Sequence, residues 1–474
     1  MNFTLALFIH KRSPPLFCHS LNNTEIMVKE KLFQKIMWLA QKMGSQIHLR
    51  SMRDAFITLI PFLVLSGMMI LFNNVVIAPD GFLSALISPD RLADWQTVGN
   101  KVVNGTMNIL GVLIGILFSF NLARNRQYSN PLMPALVTVA CLFVLMPVAL
   151  PFVPVSGGNA VMVTGAAAYS LLGTSGTFVA LMCGALATEL FVWVSKNKRL
   201  QIRIEGNVPP AVTQSFNTLF AVMITILLFA VGSYLVATLT GHEFHEAINV
   251  LIQAPLLGLT TSLPGFLLLD IINNALFSLG INPGGITGAV LEPPLLVAMQ
   301  QNMDAWAAGR EIPNIIVRPF SDLYGRMGGT GITLCLILAV FIRSRRSDLR
   351  SFSKTVIPTT LFNINEPVIF GFPIVFSPIL MIPFTFIPSL LYILAWYATA
   401  WGWVSRIVVY VPWSVPPLIS GYLASGGDYR NVVLQALLIA IGVLLYMPFL
   451  MLYEKVLAAA EQQAASGTVP PPHA

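Results

Sequence analysis

Uncharged apolar runs about as long as a bilayer is thick recur along this chain, at residues 55–74, 104–122, 131–151 and 215–239. A helix needs roughly 20 such residues to cross the hydrocarbon core. Only 10% of the 474 residues are charged and 55% are hydrophobic, whereas a soluble domain carries about 25% charged residues. The predicted fold class is an all-α polytopic membrane protein. The length accommodates about ten spans with short loops and excludes a large soluble domain.

Charge placement orients the chain. The net charge is +7, but Lys and Arg gather in a few short loops, as cytoplasmic loops of membrane proteins do, so the charge is no argument for nucleic acid. Lys29, Lys31, Lys35, Lys42, Arg50 and Arg53 precede the first span, so residues 1–53 read as a cytoplasmic N-terminal segment. Within it, Met27 opens a cleaner amphipathic stretch than Met1 does, and translation is expected to begin there. Spans at residues 55–74, 104–122, 131–151, 178–194 and 215–239 then alternate consistently, with Arg124 and Arg126, and later Lys196, Lys198 and Arg199, marking the inside. Of four cysteines, Cys141, Cys183 and Cys335 stand singly in apolar runs, and Cys18 lies in the N-terminal segment. That spacing suggests neither a disulfide frame nor a metal site. His242, Glu243, His245 and Glu246 have helical ligand spacing but no third group nearby, and read better as a wetted helix face than as a metal site. No metal or cofactor is expected.

Beyond residue 240 the pattern loses its regularity. Residues 261–278 are apolar but carry Asp270, Asn273 and Asn274, and Gly280-Ile281-Asn282-Pro283-Gly284-Gly285 breaks the run. Residues 286–299 are too short to span and too apolar for a soluble loop, so a re-entrant hairpin is predicted there. A polar loop at 300–327, a short apolar segment at 332–342 and a basic cluster (Arg343, Arg345, Arg346, Arg350, Lys354) follow. A second re-entrant element is predicted just before Glu366. Spans are predicted at 370–387, 390–409 and 433–452, and a disordered tail at 456–474. The chain thus divides into a five-helix scaffold half, 54–240, and a substrate-binding half, 241–455, since interrupted helices place their polar ends at transporter substrate sites.

The stretch richest in chemistry is Asn363-Ile364-Asn365-Glu366-Pro367-Val368-Ile369-Phe370-Gly371-Phe372-Pro373. A carboxylate at membrane depth is costly, by roughly 2.5–3.5 kcal/mol or more, and normally faces a cavity or a partner. Pro367 removes a backbone donor next to it. Glu366, Asn363 and Asn365 are candidate groups for gripping a hydrophilic substrate. The plainer reading is a capped helix start, with Asn363 or Asn365 as cap and Pro367 in the first turn. The two are compatible.

These residues carry a resemblance. Phe362 to Ile374, with Pro378 and Ile382-Pro383-Phe384, resembles the membrane IIC component of the lactose/cellobiose/diacetylchitobiose branch of the bacterial phosphoenolpyruvate-dependent sugar phosphotransferase system. Gly328-Gly329-Thr330-Gly331, Pro412-Trp413-Ser414-Val415-Pro416, Leu59-Ile60-Pro61 and Asn104-Gly105-Thr106 support it, and similarity covers about residues 40–455. The resemblance implies a homodimer in the bacterial inner membrane. Each protomer would have ten spans and two re-entrant hairpins, with the first half, 54–240, at the dimer interface and elevator-type movement of the sugar-holding half. It further implies import of a sugar, expected to be a β-linked disaccharide, coupled to phosphorylation of its 6-hydroxyl by a phosphocysteine on a separate, soluble IIB protein. Glu366 matches the family's sugar-contacting glutamate, and Gly331 falls in a supporting motif as a further candidate sugar contact. Trp413, between Pro412 and Ser414, is read equally as a ring that stacks on a sugar and as an anchor at the membrane boundary.

One departure matters for catalysis. The family carries Gly-Ile-His-Gly where this chain has Gly280-Ile281-Asn282-Pro283. Asn282 can hydrogen-bond a sugar but cannot take up a proton near neutral pH. Glu366 and Asn282 are therefore the candidate catalytic pair, and two alternatives to a coupled permease stay open: a membrane sugar sensor or regulatory module without chemistry, and a proton-coupled sugar transporter using Glu366.

Overall fold

The computed structural model describes residues 46–78, 83, 87–154, 159–202, 210–280, 283, 287–372, 374–375 and 377–465. Most of the N-terminal segment, the end of the tail and Asn282 lie outside the described residues.

The first half contains α1 (Ile47–Leu71), α2 (Pro89–Asn104), α3 (Leu110–Asn125), α4 (Leu132–Val144), a hairpin of β1 (Ala149–Phe152) and β2 (Val161–Thr164), the single turn α5 (Tyr169–Leu172), α6 (Thr177–Ser195) and α7 (Pro210–Thr240). The second half contains α8 (Phe244–Ile248), α9 (Ala254–Thr261), α10 (Leu263–Ser278), α11 (Thr287–Ala307), α12 (Phe320–Tyr324), α13 (Thr333–Arg343), α14 (Ser347–Leu361), α15 (Glu366–Gly371), α16 (Pro378–Ala400), α17 (Ile419–Ala424) and α18 (Tyr429–Ala465). Among the described residues six helices are long and apolar enough to cross a membrane, and the stretch 244–278, bent by 79° between α9 and α10, makes a possible seventh crossing.

Small residues bring the scaffold helices together. α3 packs on α1, α4 and α6. Gly115 of α3 faces Leu142 and Ala180, and Gly184 of α6 faces Phe118, so neither position has room for a larger side chain without adjustment. Ser119 then reaches Thr188 at 2.6 Å and accepts from Thr138 at 3.0 Å, a buried hydroxyl chain across three helices. Small residues and hydroxyls of this kind replace the hydrophobic driving force that lipid-embedded helices lack. A larger core runs from Ala55, Leu59 and Leu63 of α1 through Leu295, Met299 and Phe320 to Leu391 and Tyr446.

Three carboxylates of the second half, Asp270, Glu292 and Asp322, are matched to arginines. Arg326 donates to Asp270 at 2.9 Å, and Asn274 donates to the other oxygen of Asp270 at 2.8 Å. Asp270, one of the intramembrane carboxylates conspicuous in the sequence, therefore ties α10 to the backbone just ahead of the Gly328–Gly331 loop. Arg318 bridges Glu292 of α11 and Asp322 of α12, each at 2.7 Å. Asn302 of α11 pins irregular backbone, donating to the carbonyls of Asn314 and Ile407 and accepting from the N–H of Asn314.

Several expected boundaries move. The predicted span at 131–151 is helical only over Leu132–Val144, because Pro147 and Pro151 interrupt it and residues 149–152 pair instead with 161–164. The predicted hairpin at 286–299 is part of α11, a continuous helix that runs through Pro293 and Pro294 to Ala307. In its polar C-terminal half Gln300 is buried and Asn302 is fully covered as a cross-link, while Gln301 and Asp304 stay exposed. The two spans expected at 370–387 and 390–409 share the single helix α16, which continues past Pro383 and Pro388. It stops where Gly402 adopts φ +75° and Trp403 N–H bonds back to Ala398 O at 2.9 Å, a Schellman closure. In the region expected to be a disordered tail, α18 continues as helix to Ala465. Arg346 holds it there by bonding Glu461 at 2.6 Å and Asp348 at 2.9 Å, and keeps both carboxyls below their usual range. His245, expected on a wetted face, is buried with Nδ1 3.2 Å from Leu145 O, while His242 sits 3.1 Å from Glu246 at the surface.

The Asp270–Arg326 pair makes a direct test of this packing possible. Removing one member of a buried ion pair leaves an unmatched charge and costs about 3–5 kcal/mol, whereas replacing both with apolar groups is often nearly neutral. Asp270→Asn is expected to lower the thermal unfolding midpoint of the purified protein clearly, and Asp270→Leu with Arg326→Met to recover most of the loss. An Asp270→Asn protein that melts like the wild type would remove the pair from the stabilising contacts.

Candidate functional site

Three stretches of non-helical backbone meet here. The first is Gly328-Gly329-Thr330-Gly331, whose glycines have φ of +84°, +97° and +75°. That run suits glycine alone, and packing enforces it too. A Cβ on Gly329 would lie 2.5 Å from Asn365 Cγ, and one on Gly331 would lie 2.1 Å from Phe384 Cδ2. Tyr446, fully buried on α18, donates to Gly331 O at 2.6 Å, and Thr333 donates to Gly328 O. Gly331, a sequence candidate for sugar contact, is thus a close-packing position in the loop.

The second stretch is 362–366. Asn363 has φ +62°, a left-handed conformation that asparagine tolerates better than most residues. Its Oδ1 accepts from Gly328 N–H at 2.6 Å, and its Nδ2 donates to Trp413 O and, at 3.3 Å, to Val415 O. Asn365 is buried and donates from Nδ2 to Thr330 O at 2.7 Å. Both amides are therefore engaged in holding neighbouring backbone. The sequence offered them as sugar ligands or helix caps. Asn365 does precede α15, and its carbonyl accepts from Ile369 N–H at 2.9 Å, but its side chain makes no capping bond.

The third stretch is 412–416. Val415 N–H bonds to Pro412 O at 3.1 Å, closing a turn around Trp413, a residue 39% exposed. Asn363 holds the backbone of this turn three residues before Glu366. Four sequence candidates (Asn363, Asn365, Gly331 and Trp413) are thereby drawn into one bonded framework with Glu366 at its edge.

Glu366 is the first residue of α15, followed by Pro367. Val368 and Ile369 anchor that short helix in the core, while the Glu366 side chain is exposed and forms no hydrogen bond or ion pair with a described residue. The contrast with Asp270, Glu292 and Asp322, each matched to an arginine, is chemical: only Glu366 keeps its acceptor oxygens available among these four. Asn282 lies outside the described residues. The backbone on either side of it is anchored, since Gly280 ends α10 with φ +75° and Thr287 bonds to both Asn273 Oδ1 at 2.7 Å and Pro283 O at 3.2 Å. Sequence reasoning missed Arg326, Tyr446 and Phe384 as supports of this framework. The one signal available was Asp270, whose membrane depth demands a partner. Among the described residues no three His, Cys, Asp or Glu side chains converge as a metal site would require.

The dual role of Asn363, backbone conformation and bonding, is separable. Asn363→Gly keeps the left-handed φ but loses three hydrogen bonds, each worth about 1 kcal/mol net. Asn363→Ala loses the same bonds and adds left-handed strain of about 1–2 kcal/mol. The expected order of thermal unfolding midpoints is wild type, then Gly, then Ala. Equal midpoints for the two variants would show that the conformation is not enforced.

The family model described as "Phosphotransferase system, EIIC" matches residues 53–388. The lichenan permease IIC component of Bacillus subtilis (strain 168) is 30% identical over 429 residues, covering 90% of this chain and 94% of that protein. The cellobiose-specific EIIC component of Geobacillus stearothermophilus is 30% identical over 439 residues, covering 91% and 95%. The crystal structure of ChbC, the IIC component from the N,N'-diacetylchitobiose-specific phosphotransferase system, superposes with a TM-score of 0.84 at 31% identity over 91% of this chain and 99% of the other. Matched along most of its length in sequence and in fold, the chain belongs to the phosphotransferase-system EIIC family of membrane-embedded sugar permeases.

Proposed function

We propose that this permease imports a β-linked disaccharide and delivers it for phosphorylation by a separate IIB protein. The sugar class rests on the relatives, which are named for lichenan, cellobiose and diacetylchitobiose. The observation that carries the site assignment is Glu366, a carboxylate free of partners among the described residues at the edge of a rigid non-helical framework. An ionised carboxylate is an acceptor only, with room for several hydroxyl donors, which suits a carbohydrate.

In the chemical step the phosphoryl group leaves a cysteine sulfur of IIB and bonds to the sugar 6-oxygen, while the hydroxyl proton departs to a base. Glu366 is the base or the orienting group in this reading. Asn282 holds a sugar hydroxyl without taking its proton, and Trp413 offers a ring face to a sugar ring. Asn363, Asn365 and Gly331 position these groups rather than act on the sugar. The wider arrangement we infer is a homodimer with the N-terminus in the cytoplasm. The body has about ten spans and two re-entrant elements, residues 54–240 serve as scaffold, and residues 241–455 move as an elevator.

Membrane vesicles supplied with a matching IIB protein, its upstream kinases and phosphoenolpyruvate are expected to accumulate cellobiose as sugar phosphate. Glu366→Gln is expected to lower that rate by about 10²-fold or more, the usual scale for a lost general base. Sugar binding without phosphoryl transfer would select the sensor reading. Uptake of free sugar that collapses with an uncoupler and ignores phosphoenolpyruvate would select proton coupling. Normal affinity and uptake in Glu366→Gln would overturn the site assignment.

Asn282→His supplies the proton acceptor that the family carries. It is expected to raise the phosphoryl-transfer rate and to add a pH dependence near histidine's ordinary pKa of about 6.5. An unchanged rate and pH profile would mean that Asn282 does not adjoin the reacting hydroxyl.

A further inference from the structure

One side of α10 starts a chain of hydrogen bonds that ends on irregular backbone. Asn273 and Asn274 follow Asp270 by three and four residues, so a helix brings all three to the same side. All three are buried, as is Thr287 at the start of α11. The Thr287 hydroxyl donates to Asn273 Oδ1 at 2.7 Å and is shared with Pro283 O at 3.2 Å. Asn273 Nδ2 donates to Asn274 Oδ1 at 3.3 Å, and Asn274 Nδ2 donates to one oxygen of Asp270 at 2.8 Å. Arg326 donates to the other oxygen at 2.9 Å. Backbone continues the link, since Arg326 O accepts from Gly329 N–H at 2.8 Å and Asn363 holds Gly328 N–H. Pro283 is thereby joined to the framework beside Glu366.

The chain has a direction, and a carboxylate sets it. An ionised carboxylate only accepts, so Asn274 turns its NH2 to Asp270 and its oxygen to Asn273. Asn273 in turn offers its NH2 to Asn274 and its oxygen to Thr287, whose hydroxyl must then donate. Each amide orientation follows from the one before it, so a break frees every link beyond it. Bonds in such a chain also polarise one another, so they act as a unit rather than as separate pairs. A staple between helices needs less than this. Arg326 already matches Asp270, and the Asn273–Asn274 bond stays inside α10. What the two amides add is reach, from Asp270 to the carbonyl of Pro283.

We propose that Asn273, Asn274 and Thr287 are positioning residues, which hold the Pro283 backbone in register with Glu366 for recognition of the sugar. Pro283 follows Asn282 in sequence, the residue given a sugar hydroxyl in the proposed function, and this role rests on that function. Hydrogen bonds weaken steeply with misalignment, so a sugar that reaches both stretches is bound well at one spacing only. The buried chain supplies that spacing without touching the sugar itself.

The test measures sugar affinity by calorimetry on the full-length protein in detergent, with whichever of cellobiose and N,N'-diacetylchitobiose the wild type binds more tightly. Titration separates affinity from folding, because misfolded protein lowers the stoichiometry alone. Thr287→Val keeps the shape and removes the hydroxyl, and is expected to weaken binding about tenfold, the scale of one directional bond. Asn274→Leu cuts the same chain in its middle and is expected to cost as much. The double variant should lose no more than either single one, whereas independent packing defects would multiply to about 100-fold. Thr287→Ser, which keeps the donor, should retain most of the affinity. Wild-type affinity in Thr287→Val would overturn the positioning role, as would Thr287→Ser binding as weakly as Thr287→Val. These two variants decide the matter even if Asn274→Leu fails to fold. Losses that multiply in the double variant would overturn it too, and all three outcomes leave the proposed function standing. A wild type that binds neither sugar would overturn the proposed function and the positioning role together.

Discussion

The amide of Asn363 is the constraint on which the rest of the framework depends. One side chain accepts from Gly328 and donates to Trp413 and Val415, so three irregular stretches share a single hydrogen-bonding hub. Non-helical backbone survives at membrane depth only when its polar groups are satisfied by protein or by a wet cavity. A side-chain amide suits that need because it offers donors and an acceptor at once. Asn302, Asn365 and Gln435 repeat the device. Gln435 accepts from the N–H groups of Leu418 and Gly421 and donates to Leu323 O, which lets the chain between α16 and α18 leave helical form.

The same logic separates structural from functional charge. Arg318 and Arg326 each have a carboxylate within hydrogen-bonding distance, and the carboxylates are themselves on different elements from the loop they brace. Such pairs are weak sources of net stability but strongly penalise any rearrangement that parts them. They therefore hold the backbone leading into the Gly328–Gly331 loop to one geometry. A sugar site benefits from that rigidity, because hydroxyl recognition depends on directional bonds whose donors and acceptors must not drift.

The first-half spans other than 131–151 were legible in the sequence because hydropathy reports burial in lipid without reference to the rest of the chain. Glu366 was legible because a carboxylate inside apolar sequence is anomalous by itself. What stayed hidden has a common cause. Asn363 works through partners 35 and 50 residues away and through a left-handed φ, neither of which leaves a local pattern. The helix over residues 287–307 was obscured by Pro293-Pro294 and by polar residues that read as loop, although Asn302 is buried as a cross-link. The single helix Pro378–Ala400 was divided on paper because its prolines look like breaks, yet its real end is set by Gly402.

The resulting division of labour bears on Asn282. The position of Asn282 is flanked by fixed supports: Thr287 bonds to Asn273 and Pro283, and Arg326 bonds to Asp270 on the preceding helix. The left-handed glycines packed against Asn365 and Phe384 keep that framework rigid, and rigidity serves binding geometry. It does not carry the same weight for proton transfer, which needs a titrating group rather than a rigid one. Binding and chemistry are thus separable requirements, and in the function proposed above Glu366, whose carboxylate can both accept a hydroxyl and take its proton, would be the residue at which they meet.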